Sequence, residues 1–547
     1  MGTKVKNFFG GKGVFCKYFM PIIFGVSVLG ILTYYKLVFG IRLMESDSAS
    51  DIFYAHLLST EGKIISNNWY FSTELRLLDN ELLFALLFKL FPQLSWWEIE
   101  TVGTAIMNGL LGIASVMLAY QLKLGHKSLW MFGFSLLPYG TSEYYYTLMH
   151  GCGYYVYAVI EVFVILSLFL SIINYRKKDK ACFIGNIICY LGLSLLIGMQ
   201  GIRLLANLYA PLLLSSICFF VYGIWQNENG YKCQDMEQRK KILGFAFGGV
   251  CVSSVGYVIN TLVLSQIYTW RVKGENLQLK EFSVEPVSIF IREIFSNLGF
   301  IGGVNLFSIC GFISFLSIVI FLISLLALVG ICRRGRIFQN NNFIVLFFIV
   351  ALFIHLLVYI FLQKNYKARY MLPFFMLLPC IICLVFEQWK NSIKKFLIPI
   401  LGVCVLMTSI NVAYYWHLAG NHQGINIAKQ KEMAEFLVDN NYKYGFSTYW
   451  YTNSTIQLSN GQLEICPVSS TEVFDKYEWL CPKNSEEYSD YDKIFFIVSD
   501  TQLEAGREKP WNQEEKIVWH DGGICVFEYR SVEELRNVIN VCLPEAN

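Results

Sequence analysis

Three observations predict a polytopic α-helical membrane protein with a small C-terminal α/β domain. The chain of 547 residues is 55% hydrophobic and only 16% charged, where a soluble domain carries roughly a quarter charged residues. Its mean hydropathy is +0.45. It contains about eleven apolar runs at or near the roughly 20-residue length that crosses a bilayer. A net charge of +3 is too small to suggest nucleic acid as a partner.

The expected spans lie near 19–40, 102–122, 128–141, 154–174, 181–199, 205–225, 242–264, 307–331, 343–362, 370–386 and 396–415. The first is too long for a signal-peptide core and no small-residue cleavage site follows it, so it reads as a retained helix. The third is short and is interrupted by Pro138. If the spans alternate, Lys4, Lys6, Lys12 and Lys17, the run RKKDK at 176–180, QRKK at 238–241, RRGR at 333–336 and the lysines of 387–395 all fall on one side. The positive-inside rule makes that side cytoplasmic, in the plasma membrane. The outer side then receives the loop 41–101, the loops 142–153 and 265–306, the short KNYKAR at 364–369, and the tail. These runs divide the chain into a transmembrane module over 1–415 and an extracytoplasmic domain over 416–547. In the tail, INIAKQKEMAEFLVDN at 425–440 reads as a helix. The runs YGFSTYW, QLEIC, KIFFIVS and GICVFEY read as strands between polar turns. It also contains an Asn-Ser-Thr sequon at Asn453.

Most of the 16 cysteines lie in apolar runs, where a thiol packs as a small hydrophobe, and this includes the Cys380–Cys383 pair. Cys466, Cys481, Cys525 and Cys542 are in the polar tail and are free to form disulfides if it is extracytoplasmic.

The stretch MESDSASDIFYAHLL at 44–58 places Glu45, Asp47 and Asp51 within seven residues of one another beside a span. Ser48 and Asp51 have the spacing of a capping box, which leaves Asp47 at the mouth of the membrane. The following IFYAHLLSTEG fits a helix lying along the interface. Trp69, Tyr70, Trp96 and Trp97 suit an interfacial aromatic belt.

These features together resemble the GT-C class of glycosyltransferases, and within it the bacterial membrane mannosyltransferase and aminoarabinose-transferase type. That family's pattern, Asp-Glu-small-x-x-aromatic with a later Ala and Gly, is matched by Asp47, Ser48 and Ala49, then Phe53, Tyr54, Ala55 and Gly62, with Ser48 replacing the second acid. GMQGIRLLANLYAPLLL at 198–214 and KNYKARYMLPFFMLLP at 364–379 are similar to its Gly-x-Arg and Arg-Tyr-x-x-Pro segments. The resemblance implies transfer of a sugar from a polyprenyl-phosphate carrier, outside the cytoplasm, to a glycan, lipid or protein acceptor.

Such a transfer, with inversion, needs a base for the acceptor hydroxyl and cations for the leaving phosphate. Asp47 is the first choice of base and Asp51 the second, with Glu143 as a further catalytic acid. Arg203 and Arg369 suit the phosphate through bidentate contacts, with Lys367 beside them. In TSEYYYTLMHGCGYY at 141–155, Tyr145 and its neighbours can stack on a sugar. Glu74 and His150 complete the candidate substrate contacts. No cofactor is required by these residues, although His150 with Glu74 or Asp47 suits zinc or a harder divalent ion. Simpler roles stay open: a helix-start acid for Asp47, and snorkelling or pairing with a loop acid for the arginines. Two other classes also remain, a lipid-linked glycan transporter or flippase and a non-catalytic membrane scaffold. Against the transporter, the spans show no internal repeat and almost no acids, Glu161 being the main exception.

Overall fold

The computed structural model describes residues 15–73, 75, 77–138, 148, 153–175, 180–229, 236–270, 284–333, 336–338, 342–361, 368–387, 391–419, 426–471, 476–483, 491 and 493–539. Its helical part comprises α1 (Met20–Phe39), α2 (Ser46–Glu61), α3 (Asn80–Leu90), α4 (Trp96–Gln121), α5 (Trp130–Leu136), α6 (Gly153–Ile173) and α7 (Lys180–Met199). It continues through α8 (Ala210–Glu228), α9 (Met236–Leu262), α10 (Glu285–Asn297), α11 (Ile309–Arg333), α12 (Phe343–Phe361), α13 (Leu372–Glu387) and α14 (Asn391–Ala419). Among the described residues, nine of these are long and apolar enough to cross a membrane: α1, α4, α6 to α9 and α11 to α13.

Hydrogen bonds at the helix ends fix their directions. The Asn174 side chain donates to the Gln121 carbonyl at 3.5 Å, so α4 and α6 finish at the same end of the bundle. The chain must therefore cross back between them, and it does so through α5. The expected span at 128–141 is thus a broken one: its described helix has seven residues and ends at Leu136, because Leu137 precedes Pro138 and takes an extended ψ of 129°. Asn260 donates to the Met199 carbonyl at 2.6 Å, which pairs the far ends of α7 and α9. Those two helices touch backbone to backbone. A Cβ on Gly198 would stand 1.9 Å from the Ser253 carbonyl oxygen, and one on Gly256 2.2 Å from that of Leu195. Asn411 near the end of α14 donates to the Cys310 carbonyl at 3.0 Å, at the start of α11. The apolar part of α14, Pro399–Tyr414, is shorter than the other spans although the helix runs 29 residues. With it, ten of the eleven runs that the hydropathy pattern predicts are apolar helices among the described residues, and the run at 128–141 is described only as far as Pro138.

The tail forms α15 (Ile427–Asp439), β3 (Tyr444–Thr448), α16 (Tyr449–Leu458), β4 (Glu464–Val468), β6 (Ile494–Ser499), α17 (Asp500–Ala505), β7 (Ile517–Asp521), β8 (Ile524–Tyr529) and α18 (Val532–Ile539). Its five strands are ordered β4-β3-β6-β8-β7, with β3 parallel to β4 and β6, and β8 antiparallel to β6 and β7. The expected strand at YGFSTYW stops at Thr448, and α16 begins. That helix was illegible because Tyr449 and every residue from Tyr451 to Gln457 are buried, so it has no polar face to set a helical period. Strand β7, at the half-exposed sheet edge, was also not expected.

Alternate residues of the sheet serve two cores. Phe446, Phe496 and Phe527 pack with Trp511 and Leu535 on one face. Phe495, Ile497 and Val526 pack on the other with Ile52, Leu58, Phe84 and Trp96 of the segment 41–101. A second, small sheet joins β1 (Trp69–Phe71), β2 (Thr269–Trp270) and β5 (Cys481–Pro482). Three loops far apart in sequence are thereby tied together.

Several local expectations change in this setting. Helix α2 starts at Ser46 with Glu45 at its cap and no side-chain capping bond; Ser48 lies inside the helix and donates to the Glu45 carbonyl at 3.0 Å, so it forms no capping box. Trp69 and Trp96 are buried in the core under the sheet and not in an interfacial belt, because that core needs large apolar groups. The sequon residue Asn453 is buried and donates to the Leu480 carbonyl at 3.2 Å. Cys466, Cys481 and Cys525 are buried, the last two as free thiols, and burial pushes the Cys481 thiol up to about 12. Cys542 lies outside the described residues.

Candidate functional site

The acidic stretch folds into the first turn of α2, directly beneath the start of α16. Ser46 donates through its hydroxyl to the Tyr449 carbonyl at 2.6 Å, and Asn453 reaches the Ser46 carbonyl at 3.4 Å. These bonds dock two helix N-termini against each other. They also bring the Tyr449 hydroxyl to Asp47, whose Oδ1 accepts its hydrogen bond. Burial, reinforced by the charges of Asp47, Glu45 and Asp51, holds the Tyr449 hydroxyl well above the ordinary tyrosine range, so it remains a donor. Asp47 itself is exposed, and Ser50 steadies its backbone with a 2.6 Å bond to the Asp47 carbonyl. A carboxylate in the first turn also gains from the α2 dipole.

Asp51 lies one turn on. It is buried and lines a small pocket with Ser50, Tyr54, Trp69, Ser72 and Glu81. The two candidate bases are thus separated by environment, one open and one enclosed.

Arg203 and Arg369 come together although they stand 166 positions apart in sequence. Arg203 precedes α8 and Arg369 is in the turn Ala368–Met371 that enters α13. The Arg203 guanidinium lies 5.8 Å from the Tyr155 ring and 5.4 Å from the Tyr370 ring. That of Arg369 lies 5.2 and 5.9 Å from the same two rings. Two like charges sharing one aromatic pair form a concentrated cationic patch suited to an anion with several oxygens. Beside it, Gln200 donates to the buried Glu161 of α6 at 2.6 Å, fixing the turn before Arg203.

Both clusters lie at one end of the bundle. Lys36 near the end of α1 pairs with Glu100 in the first turns of α4 at 2.7 Å, both side chains being 2% exposed. Gln457 of α16 donates to the other Glu100 oxygen at 2.6 Å, and Asn460 accepts from the Trp96 amide at 2.9 Å. That end therefore carries the sheet domain. Since α6 starts where α4 starts, Tyr155 and both arginines belong to the same end as Asp47.

Glu74, Glu143, Tyr145, His150 and Lys367 lie outside the described residues. Among the described residues no three His, Cys, Asp or Glu side chains gather as a metal site requires. Sequence reasoning missed Tyr449, for which no signal exists in the sequence. Tyr155 and Tyr370 had one, since each stands inside a stretch already singled out.

No family model matches the chain, and no curated protein matches it in sequence. Solved structures do. ArnT from Cupriavidus metallidurans in the apo state superposes with a TM-score of 0.56 at 12% identity, covering 93% of this chain and 97% of that one. The same protein bound to undecaprenyl phosphate gives 0.57 at 11% identity with the same coverage. The bundle capped by a C-terminal sheet domain therefore has the GT-C-like fold of these structures.

Proposed function

We propose that this protein is an inverting glycosyltransferase that moves a sugar from a polyprenyl-phosphate carrier to an acceptor hydroxyl, with Asp47 as general base. The observation that carries this reading is the pair of arginines converging on Tyr155 and Tyr370 at the end of the bundle that also holds an exposed, tyrosine-bonded aspartate. Asp47 takes the acceptor proton as the acceptor oxygen bonds to the anomeric carbon. The bond from that carbon to the phosphate oxygen breaks on the opposite face, and the polyprenyl phosphate leaves carrying the electron pair. Arg203 and Arg369 neutralise the charge that develops on it. Tyr449 orients the carboxylate, and Asp51, enclosed beside Glu81, shapes the helix start. Lys367 extends the cationic patch, while Glu143, Glu74, Tyr145 and His150 contact the sugar or the acceptor.

In this reading 1–415 is the catalytic transmembrane module and 416–547 the extracytoplasmic domain. The N-terminus is cytoplasmic, since Lys17, Lys123, Lys127 and Arg333 lie at the end opposite the sheet domain. ArnT with undecaprenyl phosphate supports the choice of donor class.

The experiment is transfer of labelled sugar from a panel of polyprenyl-phosphate donors by wild type and Asp47→Asn, with donor binding measured alongside. Transfer should fall by about 10² to 10⁴ with binding retained, the range for losing a general base. Undiminished transfer by Asp47→Asn rejects it as the base.

A further inference from the structure

Ile320 of α11, Phe386 of α13 and Leu401 and Cys404 of α14 pack together, but beside them an open cleft remains between these helices and α5. It reaches from Lys17, His126 and Lys127, at the end of the bundle opposite Asp47, to Leu298 after α10. The three basic residues are exposed, no acid lines the cleft among the described residues, and the rest of the described wall is largely apolar. Two lining residues offer little bulk or bonding. Pro379 lies inside α13, where it can donate no backbone hydrogen bond to the preceding turn. Gly402 of α14 faces empty space, since a Cβ there would meet nothing within 4 Å.

An apolar cleft within a bilayer takes an apolar chain, and a cationic mouth at the membrane surface takes an anionic headgroup. We infer that this cleft binds an anionic glycerophospholipid of the leaflet at the basic end, its phosphate on Lys17, His126 and Lys127 and an acyl chain running past Trp130 and Gly402. The donor's polyprenyl phosphate is the wrong occupant. A phosphate seated at this mouth lies at the opposite end of the bundle from Arg203 and Arg369. A zwitterionic lipid gains less here, because its own ammonium faces the Lys17 and Lys127 ammonium groups.

The test reads Trp130, which lines the cleft. The full chain is placed in neutral-lipid nanodiscs doped with brominated-chain phosphatidylglycerol or phosphatidylcholine, and the Trp130 contribution is isolated by difference from Trp130→Phe. Brominated phosphatidylglycerol should quench at a mole fraction several-fold lower than phosphatidylcholine. The Lys17→Gln/Lys127→Gln variant should lose that preference, the apparent affinity falling roughly tenfold or more, as expected for two lysines at an anionic surface. Gly402→Phe, which fills open space, should weaken quenching by both lipids while sugar transfer persists. Equal quenching by the two lipids overturns the inference, as does a preference unchanged in the double lysine variant. Displacement of brominated phosphatidylglycerol by a smaller mole fraction of polyprenyl phosphate also overturns it and assigns the cleft to the donor chain.

Discussion

The Tyr449 hydroxyl donates a hydrogen bond to Asp47 across 402 positions of sequence. The sheet domain therefore completes the carboxylate's surroundings and is more than a cap. Tyr449→Phe removes one charge-assisted bond, of about 1.5–3 kcal/mol, without opening a cavity. Transfer should fall roughly tenfold to a hundredfold while donor affinity is kept, as separate assays of turnover and binding will show. Turnover equal to wild type would exclude a positioning role for this tyrosine.

Arg203 and Arg369 share two rings, so their effects on the donor should not be independent. Arg203→Lys and Arg369→Lys keep the charge but lose the planar fork, and each should weaken donor binding about tenfold. A double-mutant cycle should show coupling on the order of 1 kcal/mol, as for residues around one ligand. Strict additivity would mean that the two guanidinium groups hold different things.

Lys36 and Glu100 form a buried pair, and Gln457 holds the second Glu100 oxygen. Lys36→Met strands a carboxylate in the interior and should cost about 3–5 kcal/mol. Adding Glu100→Gln removes the stranded charge and should recover a large part of that loss. Thermal unfolding of the purified protein measures both steps; a double variant less stable than Lys36→Met alone would contradict the assignment.

In the sheet domain Lys516 hydrogen-bonds to Glu534 and holds its carboxyl below the ordinary 4.5. A lowered folded value means that the stabilisation is complete above the ordinary range. It is lost as pH falls through the lowered value. Between about pH 5 and about pH 3, the wild-type melting temperature should therefore fall more steeply than that of Lys516→Met. The pair is partly exposed, so the difference should be small and should shrink in high salt.

Much of the bundle was legible because lipid imposes a strong rule on sequence. Runs such as 154–174 and 343–362 announce themselves by length and apolarity alone. Arg203 and Arg369 could be singled out for a related reason, as cations are few at the span ends away from the basic loops. Where local signals weakened, the reading failed. The segment around Pro138 gave too short a helix to read as a full span, and α16, buried on nearly every side, carried no periodicity.

By itself, then, the sequence determined that the chain is a bundle of long apolar helices, which ends are basic, and which short stretches hold acids and arginines. Those properties follow from solvation, and solvation is written residue by residue. Only the tertiary structure decided that Asp47 is open and Asp51 enclosed, that Tyr449 serves Asp47, and that two arginines meet over Tyr155 and Tyr370. Each of these is a contact between segments distant along the chain. Such contacts are chosen by how whole surfaces pack, as when one face of the sheet closes over α2 and α3, and no local pattern records that choice.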